Sequence, residues 1–151
     1  MIIKVNNCEL RIRRCTDEDY WFVYNLLKRN MSYFYMKYWG GWNSKKFRNN
    51  FNKKNIKIIE YKNKRIAYYT LRFKNNYSYV DDIQISTLMR GKGIGTYLIY
   101  LMETETKKHN FKKIRLKVFK DNKARALYSK LGYQQIVDEG STIIMQKKLS
   151  L

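Results

Sequence analysis

Residues 80–96 read VDDIQISTLMRGKGIGT and carry the strongest structural signal in the chain: a strand-like run, a glycine-rich turn and the beginning of a helix. Glycine lets the backbone approach an anion closely, and the positive end of the following helix points toward that anion. The segment is therefore suited to hold a phosphate or pyrophosphate. A glycine cluster this short also occurs in plain turns, so the flanking sequence has to distinguish the two interpretations.

Two familiar nucleotide-binding loops do not fit this segment. A Rossmann loop requires G-x-G-x-x-G in an early parallel βαβ unit, whereas the runs before this loop indicate an antiparallel meander. A Walker loop ends in Gly-Lys-Ser or Gly-Lys-Thr, and neither ending is present in the loop. The Rossmann interpretation is disfavoured and the Walker interpretation is excluded.

The chain before the loop predicts a strand, several helical segments and three further strands. Residues 9–15 alternate as a strand, and residues 16–19 form a capping-box pattern before a helix with apolar side chains on one face. Residues 31–55 predict a short helix, a loop and a second short helix. Runs rich in β-branched and aromatic residues then predict an antiparallel meander over residues 56–61, 65–73 and 77–85.

The chain after the loop predicts two helices and three strands. Apolar residues recur at helical spacing over residues 94–106, and a strand pattern follows at 113–119. Asp121 is placed to cap a last helix, and Gly132 stands where a left-handed residue would end it. The final strands predict a closing hairpin over residues 133–138 and 141–149. The fold class is therefore α/β, of the α+β kind.

The composition indicates a single domain spanning residues 1–151. The chain is 44% hydrophobic, and no repeat, linker or compositional break divides it. Lys and Arg total 32 against 12 acidic residues, and the net charge of +20 would attract phosphates or nucleic acid. The abundance of Lys, Asn, Ile and Tyr, with no Pro, favours a genome-wide compositional bias as the explanation of this charge.

The remaining composition points to an intracellular protein. Cys8 and Cys15 lack the spacing of a zinc site or a disulfide framework, so we expect buried, reduced thiols and no metal site. The sequence shows no secretory leader and no run long enough to span a membrane, so we expect a cytoplasmic protein without a membrane partner. A monomer and a homodimer are both compatible with the sequence.

Residues 80–96 resemble the signature of the GNAT superfamily of acetyl-CoA-dependent N-acetyltransferases. The family pattern Gln/Arg-x-x-Gly-x-Gly/Ala is met by Arg90, Gly93 and Gly95. The resemblance implies that the CoA pyrophosphate is held by the backbone amides of Gly91, Lys92, Gly93, Ile94, Gly95 and Thr96. It also implies a bulged strand whose exposed backbone pairs with the pantetheine arm, at Ile83, Gln84 and Ile85.

A second segment, NKARALYSKLGY at residues 122–133, is similar to the Asn-x-x-Ala-x-x-x-Tyr…Gly-Phe/Tyr segment of the family. The resemblance places Asn122 by the pantetheine and Tyr128 by the thioester sulfur. Without the glycine-rich loop, Tyr128 would be interpreted as an ordinary core aromatic. The resemblance implies the GNAT fold: a central mixed, mostly antiparallel sheet flanked by helices, with acetyl-CoA entering a splay between its fourth and fifth predicted strands, 77–85 and 113–119.

Acetyl transfer to an amine requires a neutral amine and a proton for the departing thiolate. A phenol can supply that proton, and we identify Tyr128 as the candidate general acid. Neighbouring strand positions face opposite sides, so one of Asp81 and Asp82 is expected to face the amine as general base. We favour Asp81, because its neighbours on the same face are apolar or aromatic; a solvated acid pair and a water chain are the alternatives. The Ile85 amide is the candidate donor to the carbonyl oxygen.

The acceptor side is a dense aromatic run, in the segment that lines the acceptor site in the GNAT family. The run comprises Tyr33, Phe34, Tyr35, Tyr38, Trp39 and Trp42, and the candidate acceptor contacts are Tyr33, Tyr35, Trp39 and Trp42. The rings fit a buried core and an aromatic wall for an amine or peptide equally well. A protein amino terminus, a lysine on an acidic partner and a small-molecule amine all stay open as acceptors, whereas the net charge disfavours a polyamine.

The leading hypothesis is thus an acyltransferase, and two other functions are compatible with the sequence. No Cys or Ser in the motif region is placed as an acyl carrier, so we expect direct transfer through a ternary complex. Basic clusters interleaved with aromatic residues are also typical of a nucleic-acid-binding or ribosome-associated module. A GNAT fold could instead bind CoA as a sensor without turnover.

Overall fold

The structure is a computed structural model that describes residues 1–150. Within that range the chain forms eight strands and four α-helices. Their bounds, in chain order, are β1 Ile2–Val5, β2 Cys8–Arg14, α1 Tyr20–Trp39, α2 Ser44–Asn50, β3 Ile56–Tyr61, β4 Lys64–Phe73, β5 Ser78–Ile85, α3 Ile94–Lys108, β6 Lys113–Phe119, α4 Ala124–Lys130, β7 Gln134–Asp138 and β8 Thr142–Lys148.

Over the described residues the strands form one mixed sheet in the order β1-β2-β3-β4-β5-β6-β8-β7. Strands β1 to β3 pair antiparallel with their sequence neighbours, as do β6 with β8 and β7 with β8. Strands β5 and β6 are parallel, with Ser78 opposite Ile114 and Val80 opposite Leu116. The predicted mixed, mostly antiparallel sheet with helices is confirmed. The paired residues of β5 lie at its beginning.

The chain divides into two compact units. The first consists of Met1–Thr70 and Asp82–Leu98, and the second consists of Leu71–Asp81 and the chain from Ile99 onward. Strands β4 and β5 and helix α3 therefore contribute residues to both units. The single domain expected from the composition stays a prediction.

The core of the first unit forms where α1 packs on the sheet. Val23 and Leu27 of the helix belong to one buried cluster with Ile58 of β3 and Tyr68 of β4. Residues 66–69 of β4 are all buried, as expected for a strand covered on both faces. This packing fixes which face of α1 points outward, and that orientation matters for the site.

Strands β6 and β8 both contribute buried residues to the second unit. Ile114 and Leu116 alternate inward on β6, and Ile143 and Met145 do so on β8. Ser78 at the beginning of β5 shares a buried 2.6 Å hydrogen bond with Thr106 of α3. Each unit thus has apolar residues of its own that are removed from water.

Helix α1 is longer than predicted. Residues 31–39, expected to hold a short helix and a loop, continue the helix to Trp39, and Gly40 ends it with a φ of 78°. No Gly or Pro interrupts residues 20–39, so nothing in the local sequence breaks the helix. Aromatic side chains on its exposed face obscure the helical period there. The second short helix is present as α2.

Two smaller features differ from the prediction. No strand is predicted before residue 9, yet β1 pairs with β2 through a turn in which Asn6 has a φ of 53°. The expected cap at Asp121 is also wrong, since α4 begins after Lys123 and Asn122 Oδ1 accepts the hydrogen bond from the Ala124 N–H at 2.9 Å. An amide side chain two positions before such an N–H closes a turn locally. Gly132 ends α4 with a φ of 99°, as predicted.

Candidate active site

The glycine-rich loop joins β5 to α3 within the first unit. Gly91 and Gly93 have φ values of 73° and 81°, a region that residues with a Cβ rarely adopt. Two left-handed residues just before a helix produce a concave run of N–H groups, and the first N–H groups of α3 have no partner within the helix. The backbone here is shaped for an anion such as a pyrophosphate.

Neighbouring side chains hold this loop in place. Asn6, in the β1–β2 turn, donates a 2.6 Å hydrogen bond from Nδ2 to the Lys92 carbonyl. A Cβ added at Gly93 would lie 3.2 Å from that same Nδ2, and one at Gly95 would lie 3.4 Å from Ile85 Cδ1. Gly93 therefore combines a left-handed backbone with close packing, and a larger residue there would disturb the loop.

The end of β5 is held by polar side chains from α1 and from the loop. Asn30 Nδ2 donates to Gln84 Oε1 at 3.1 Å and to the Ile85 carbonyl at 3.2 Å. Arg90 Nε donates to the same carbonyl at 3.3 Å. Because the Ile85 carbonyl is held from two directions and the Ser86 N–H donates to the Ile66 carbonyl at 2.8 Å, the peptide group that joins Ile85 to Ser86 has a fixed orientation.

Asp82 lies in the first unit beside buried phenols. Gln84 Nε2 donates to Asp82 Oδ1 at 3.4 Å. Burial, followed by the charge of Asp82, raises the pKa of Tyr35, and the same two causes raise the pKa of Tyr68 well above its ordinary value. Both phenols therefore stay protonated near neutral pH.

Two polar atoms in the same unit are buried without a hydrogen-bond partner among the described residues: Tyr68 Oη and Trp42 Nε1. Tyr68 is only 1% exposed. Buried donors of this kind are costly unless something satisfies them, and they are rare in folded proteins. The rings of Trp42 and Tyr35 stack with centres 5.8 Å apart. The Trp42 side chain therefore lies beside Tyr35, the phenol whose pKa is raised in part by the charge of Asp82.

Asp81, the neighbouring acid, belongs to the second unit and is held by an arginine. Arg72 donates from Nε and from Nη2 to the two carboxylate oxygens of Asp81, the second bond being 2.7 Å long. The same guanidinium lies 5.3 Å from the centre of the Tyr79 ring. Burial and the Asp81 charge raise the pKa of Tyr79 to about 12. The face of Asp81 that was expected to be apolar or aromatic thus also carries a cation, which occupies both carboxylate oxygens.

Tyr128 and Asn122 lie in the second unit, in and just before α4. Tyr128 is 7% exposed, and its carbonyl accepts hydrogen bonds from the N–H groups of Leu131 and Tyr133 at the end of the helix. Its ring meets the Tyr133 ring nearly edge-on, with centres 6.1 Å apart. Asn122 uses its Oδ1 to bind the first N–H of α4. Both residues thus have a structural part in α4 besides the roles that the resemblance implies.

The predicted acceptor residues separate into two groups along α1 and the turn after it. Tyr35 and Trp42 are partly buried, whereas Tyr33 and Trp39 are 63% and 49% exposed. The ring of Trp39 stacks on that of Tyr35 at 4.9 Å, so one exposed residue is connected to the inner pair. The aromatic run is therefore partly core and partly surface.

Sequence reasoning missed three residues of this region: Asn6, Asn30 and Tyr68. Asn30 had a recognisable signal, because it is a polar residue at the helical spacing of the buried positions Val23 and Leu27. Asn6 is one of two adjacent asparagines in the β1–β2 turn, and Tyr68 is one of several aromatic residues on the strands. Only tertiary packing distinguishes these last two from their neighbours.

Other candidate groups lie elsewhere. His109 follows α3, and its ring stacks on Phe73 at 3.9 Å. Cys8 and Cys15 are buried free thiols, and burial raises the pKa of Cys15 to about 11, which leaves it unreactive at neutral pH. Residues 1–150 contain no cluster of three or more His, Cys, Asp and Glu side chains that could hold a metal. No helix in the same range is long and apolar enough to cross a membrane.

Comparison with known proteins assigns the chain to a class of enzymes. Residues 18–133 match the acetyltransferase (GNAT) family, and the chain belongs to that family. Membership supports acetyl transfer as the general activity. No match to the chain was found among curated protein sequences.

Solved structures share the fold at low sequence identity. The PaiA N-acetyltransferase from Thermoplasma acidophilum, in complex with coenzyme A, is 19% identical with a TM-score of 0.76, over 92% of this chain and 98% of that one. Ard1 from Thermoplasma volcanium is 13% identical with a TM-score of 0.77, over 94% and 99%. A ribosomal-protein alanine N-acetyltransferase from Escherichia coli is 19% identical with a TM-score of 0.73, over 94% and 95%. These likenesses confirm the predicted GNAT fold.

Proposed function

We propose that this protein is an N-acetyltransferase that moves the acetyl group of acetyl-CoA directly to a primary amine. The observation that carries the proposal is the glycine-rich loop, which combines two left-handed glycines with a helix N-terminus inside a chain of the GNAT family. The similar PaiA structure contains coenzyme A, which supports the same cofactor here. Transfer through a ternary complex, a cytoplasmic location and the choice between monomer and homodimer stay predictions.

The residues of the loop fit a nucleotide diphosphate. The amides of residues 91–96 would hold the pyrophosphate, and a side chain at Gly93 would disturb the backbone that presents them. Residues 83–85 would pair with the pantetheine arm, with Asn122 beside it, as the resemblance to the family implies. When bound, acetyl-CoA supplies an acetyl group activated as a thioester.

Asp82 is the better-supported general base of the two neighbouring acids. Asp81 is neutralised by two hydrogen bonds from Arg72, whereas the bond from Gln84 to Asp82 is longer and comes from a neutral amide. A base has to accept a proton from the ammonium of the acceptor, directly or through water. Tyr128 is proposed as the general acid that returns a proton to the thiolate, on the strength of its place in the family segment.

The carbonyl oxygen of the acetyl group needs a hydrogen-bond donor, and the amide of Ile85 is proposed for it. The Ile85 N–H belongs to the peptide group that joins Gln84 to Ile85. The structural support is that the next peptide group is held in place, because the Ile85 carbonyl is bound by Asn30 and Arg90. A donor that does not have to reorient during the reaction contributes more to rate than a mobile one.

The first test is isothermal titration of the protein with acetyl-CoA. We expect micromolar binding by the parent and none by Gly93→Glu, which introduces a side chain and a negative charge into the loop. Gly140→Glu is the matched control, because Gly140 also has a positive φ, at 96°, but lies in the β7–β8 turn. Binding that survives Gly93→Glu would contradict the proposed cofactor site.

An acceptor screen with primary amines then separates an enzyme from a sensor. Steady release of CoA with at least one amine would support the enzyme, whereas binding of acetyl-CoA without turnover across a broad panel would favour a CoA sensor. A stable acetylated form of the protein would contradict direct transfer.

A further inference from the structure

One long segment of the chain lacks acidic residues. Residues 20–59 contain nine Lys or Arg side chains and no Asp or Glu, so all 12 acids of the chain lie outside it. The segment forms α1, α2 and most of β3, all within the first unit. The share of Lys and Arg in this segment is close to that of the whole chain, which has 32 in 151 residues, so the segment is distinguished by its lack of acids.

The outward face of α1 presents polar and basic side chains between apolar ones. Opposite its buried positions, exposed residues recur at three- and four-residue spacing along the whole helix. They are Trp21, Asn25, Lys28, Ser32, Met36 and Trp39, which we call the α1 stripe. Trp21 is 64% exposed and Met36 is 68% exposed, with Arg29 exposed beside the stripe. At about 1.5 Å per residue the stripe is roughly 27 Å long.

The α1 stripe ends at a stack of rings that leads inward to the candidate base. Trp39 stacks on Tyr35 with ring centres 4.9 Å apart, and Tyr35 stacks on Trp42 at 5.8 Å. Asp82 is close enough to Tyr35 for its charge to act on the phenol. All of these residues belong to the first unit, so the exposed stripe is continuous with the proposed acceptor side.

We propose that the α1 stripe is the docking surface for an acidic polypeptide that carries the acceptor amine. This inference rests on the proposed function, because it names the class of substrate for the same site. Carboxylates of the polypeptide pair with Lys28 and Arg29 in the middle of the stripe. Its apolar side chains pack on Trp21 at one end and on Met36 near the other. The acceptor is then an amine of a protein or peptide and not a free small molecule.

Other occupants of the stripe fit less well. A two-fold contact between copies would bring Lys28 and Arg29 near their own equivalents, on chains that each carry a charge of +20. Single-stranded nucleic acid needs open aromatic faces on which bases can stack. Here the ring of Trp39 is stacked on Tyr35 and also has Lys46 Nζ 5.0 Å from its centre. Trp21 is therefore the one ring of the stripe left open, and it gives a single stacking position. A methionine and a partly covered ring suit the side chains of a polypeptide better.

The binding test uses a synthetic peptide with a free amino terminus, Asp and Glu in its centre, Leu on both sides and a fluorophore at its carboxyl end. A matched peptide replaces Asp and Glu by Asn and Gln. Fluorescence anisotropy is measured in the presence of CoA for the parent, for Lys28→Glu/Arg29→Glu, and for Lys107→Glu/Lys108→Glu. The last variant makes the same change of charge at the end of α3, outside the acid-free segment.

We expect the acidic peptide to bind the parent at least about tenfold more tightly than the neutral peptide, and the advantage to fall with salt. Reversal at Lys28 and Arg29 should weaken binding by about tenfold, and the α3 control by less than about threefold. In an acetylation assay the same reversal should raise KM for the acidic peptide without changing KM for acetyl-CoA.

Two results would overturn the inference. The first is equal binding of the acidic and the neutral peptide by the parent, or an equal loss of acidic-peptide binding in Lys28→Glu/Arg29→Glu and in Lys107→Glu/Lys108→Glu. The second is tighter binding of a single-stranded RNA oligonucleotide that depends on Lys28 and Arg29, which would assign the stripe to nucleic acid. Failure of the proposed function looks different, since the acidic peptide would then bind through the stripe but no amine would be acetylated.

Discussion

Asp81 and Asp82 are adjacent in sequence, yet the regions around them differ in chemistry. Asp81 is bound by both arms of Arg72 next to the ring of Tyr79. Asp82 receives a hydrogen bond from the amide of Gln84, and its charge acts on the partly buried phenol of Tyr35 and the buried phenol of Tyr68. One carboxylate is thus neutralised by an arginine fork, and the other accepts from a neutral amide beside buried phenols.

The comparison teaches that strand alternation alone does not assign a catalytic role. Alternation places the two side chains on opposite faces of β5 but does not say which face carries a cation. An arginine fork stabilises the charged form of a carboxylate and so lowers its readiness to take a proton. Both oxygens of Asp81 are occupied by Arg72, and the charge of Asp82 acts on Tyr35, so Asp82 is the proposed base.

The largest expected effect is on catalysis at Asp82. We expect Asp82→Asn to lower kcat/KM by roughly 10²–10³-fold, because general-base catalysis contributes about that much. The matched variant Asp81→Asn should change kcat/KM by less than about fivefold and cost at most about 1 kcal/mol of stability, since its ion pair is partly exposed. Both are measured with acetyl-CoA and one primary amine across pH. A larger loss in Asp81→Asn would reverse the comparison.

A third carboxylate, Asp19, shows what a purely structural ion pair does. It is fully buried, accepts two 2.8 Å hydrogen bonds from Arg13 and pairs with Arg65 Nε at 2.8 Å. The Arg13 hydrogen bonds lower the pKa of Asp19 to about 2. The folded state therefore binds this proton less readily than the unfolded chain does, and it is stabilised by about 2 kcal/mol above pH ~4.

This stabilisation should be lost as pH falls from about 4 to about 2. We expect Asp19→Asn to cost about 2–3 kcal/mol at pH 6, and the difference from the parent to shrink near pH 2.5. Urea unfolding at the two pH values measures both quantities. Asp17→Asn is the control, because Asp17 is 84% exposed and pairs only at the surface with Lys53, so about 0.5 kcal/mol is expected. A pH-independent cost at Asp19 would contradict the assignment.

The smallest expected effect comes from removing the hydrogen bonds by which Asn30 holds the end of β5, close to Asp82 in sequence. Asn30→Leu removes the hydrogen bonds to Gln84 and to the Ile85 carbonyl while keeping the side chain similar in size. We expect kcat to fall by about tenfold, since loosening the end of β5 also loosens the neighbouring Ile85 N–H, and a less fixed donor stabilises the transition state less. Binding of acetyl-CoA should stay within about twofold in calorimetry. An unchanged kcat would show that the hydrogen bond from Arg90 to the Ile85 carbonyl is enough to hold the end of β5.

Several elements were predictable because their signals are local. The meander, the glycine-rich loop and α3 follow from alternation, from glycine and from helical spacing, each acting over a few residues. The length of α1 was not predictable, because aromatic side chains on its exposed face looked like a break in the helical pattern. β1 was missed since a four-residue edge strand has too few residues to show a pattern.

The amino-acid sequence was sufficient to identify the loop, the family resemblance and the candidate residues near them, because backbone conformation at glycine and side-chain periodicity are properties of neighbouring residues. Only the tertiary structure showed which side chains form hydrogen bonds with those residues. Arg72 and Asp81 are nine positions apart, and Asn30 and Gln84 are 54 apart. Packing of α1 on the sheet and of one strand beside another brings such groups together, and that packing depends on the whole chain at once.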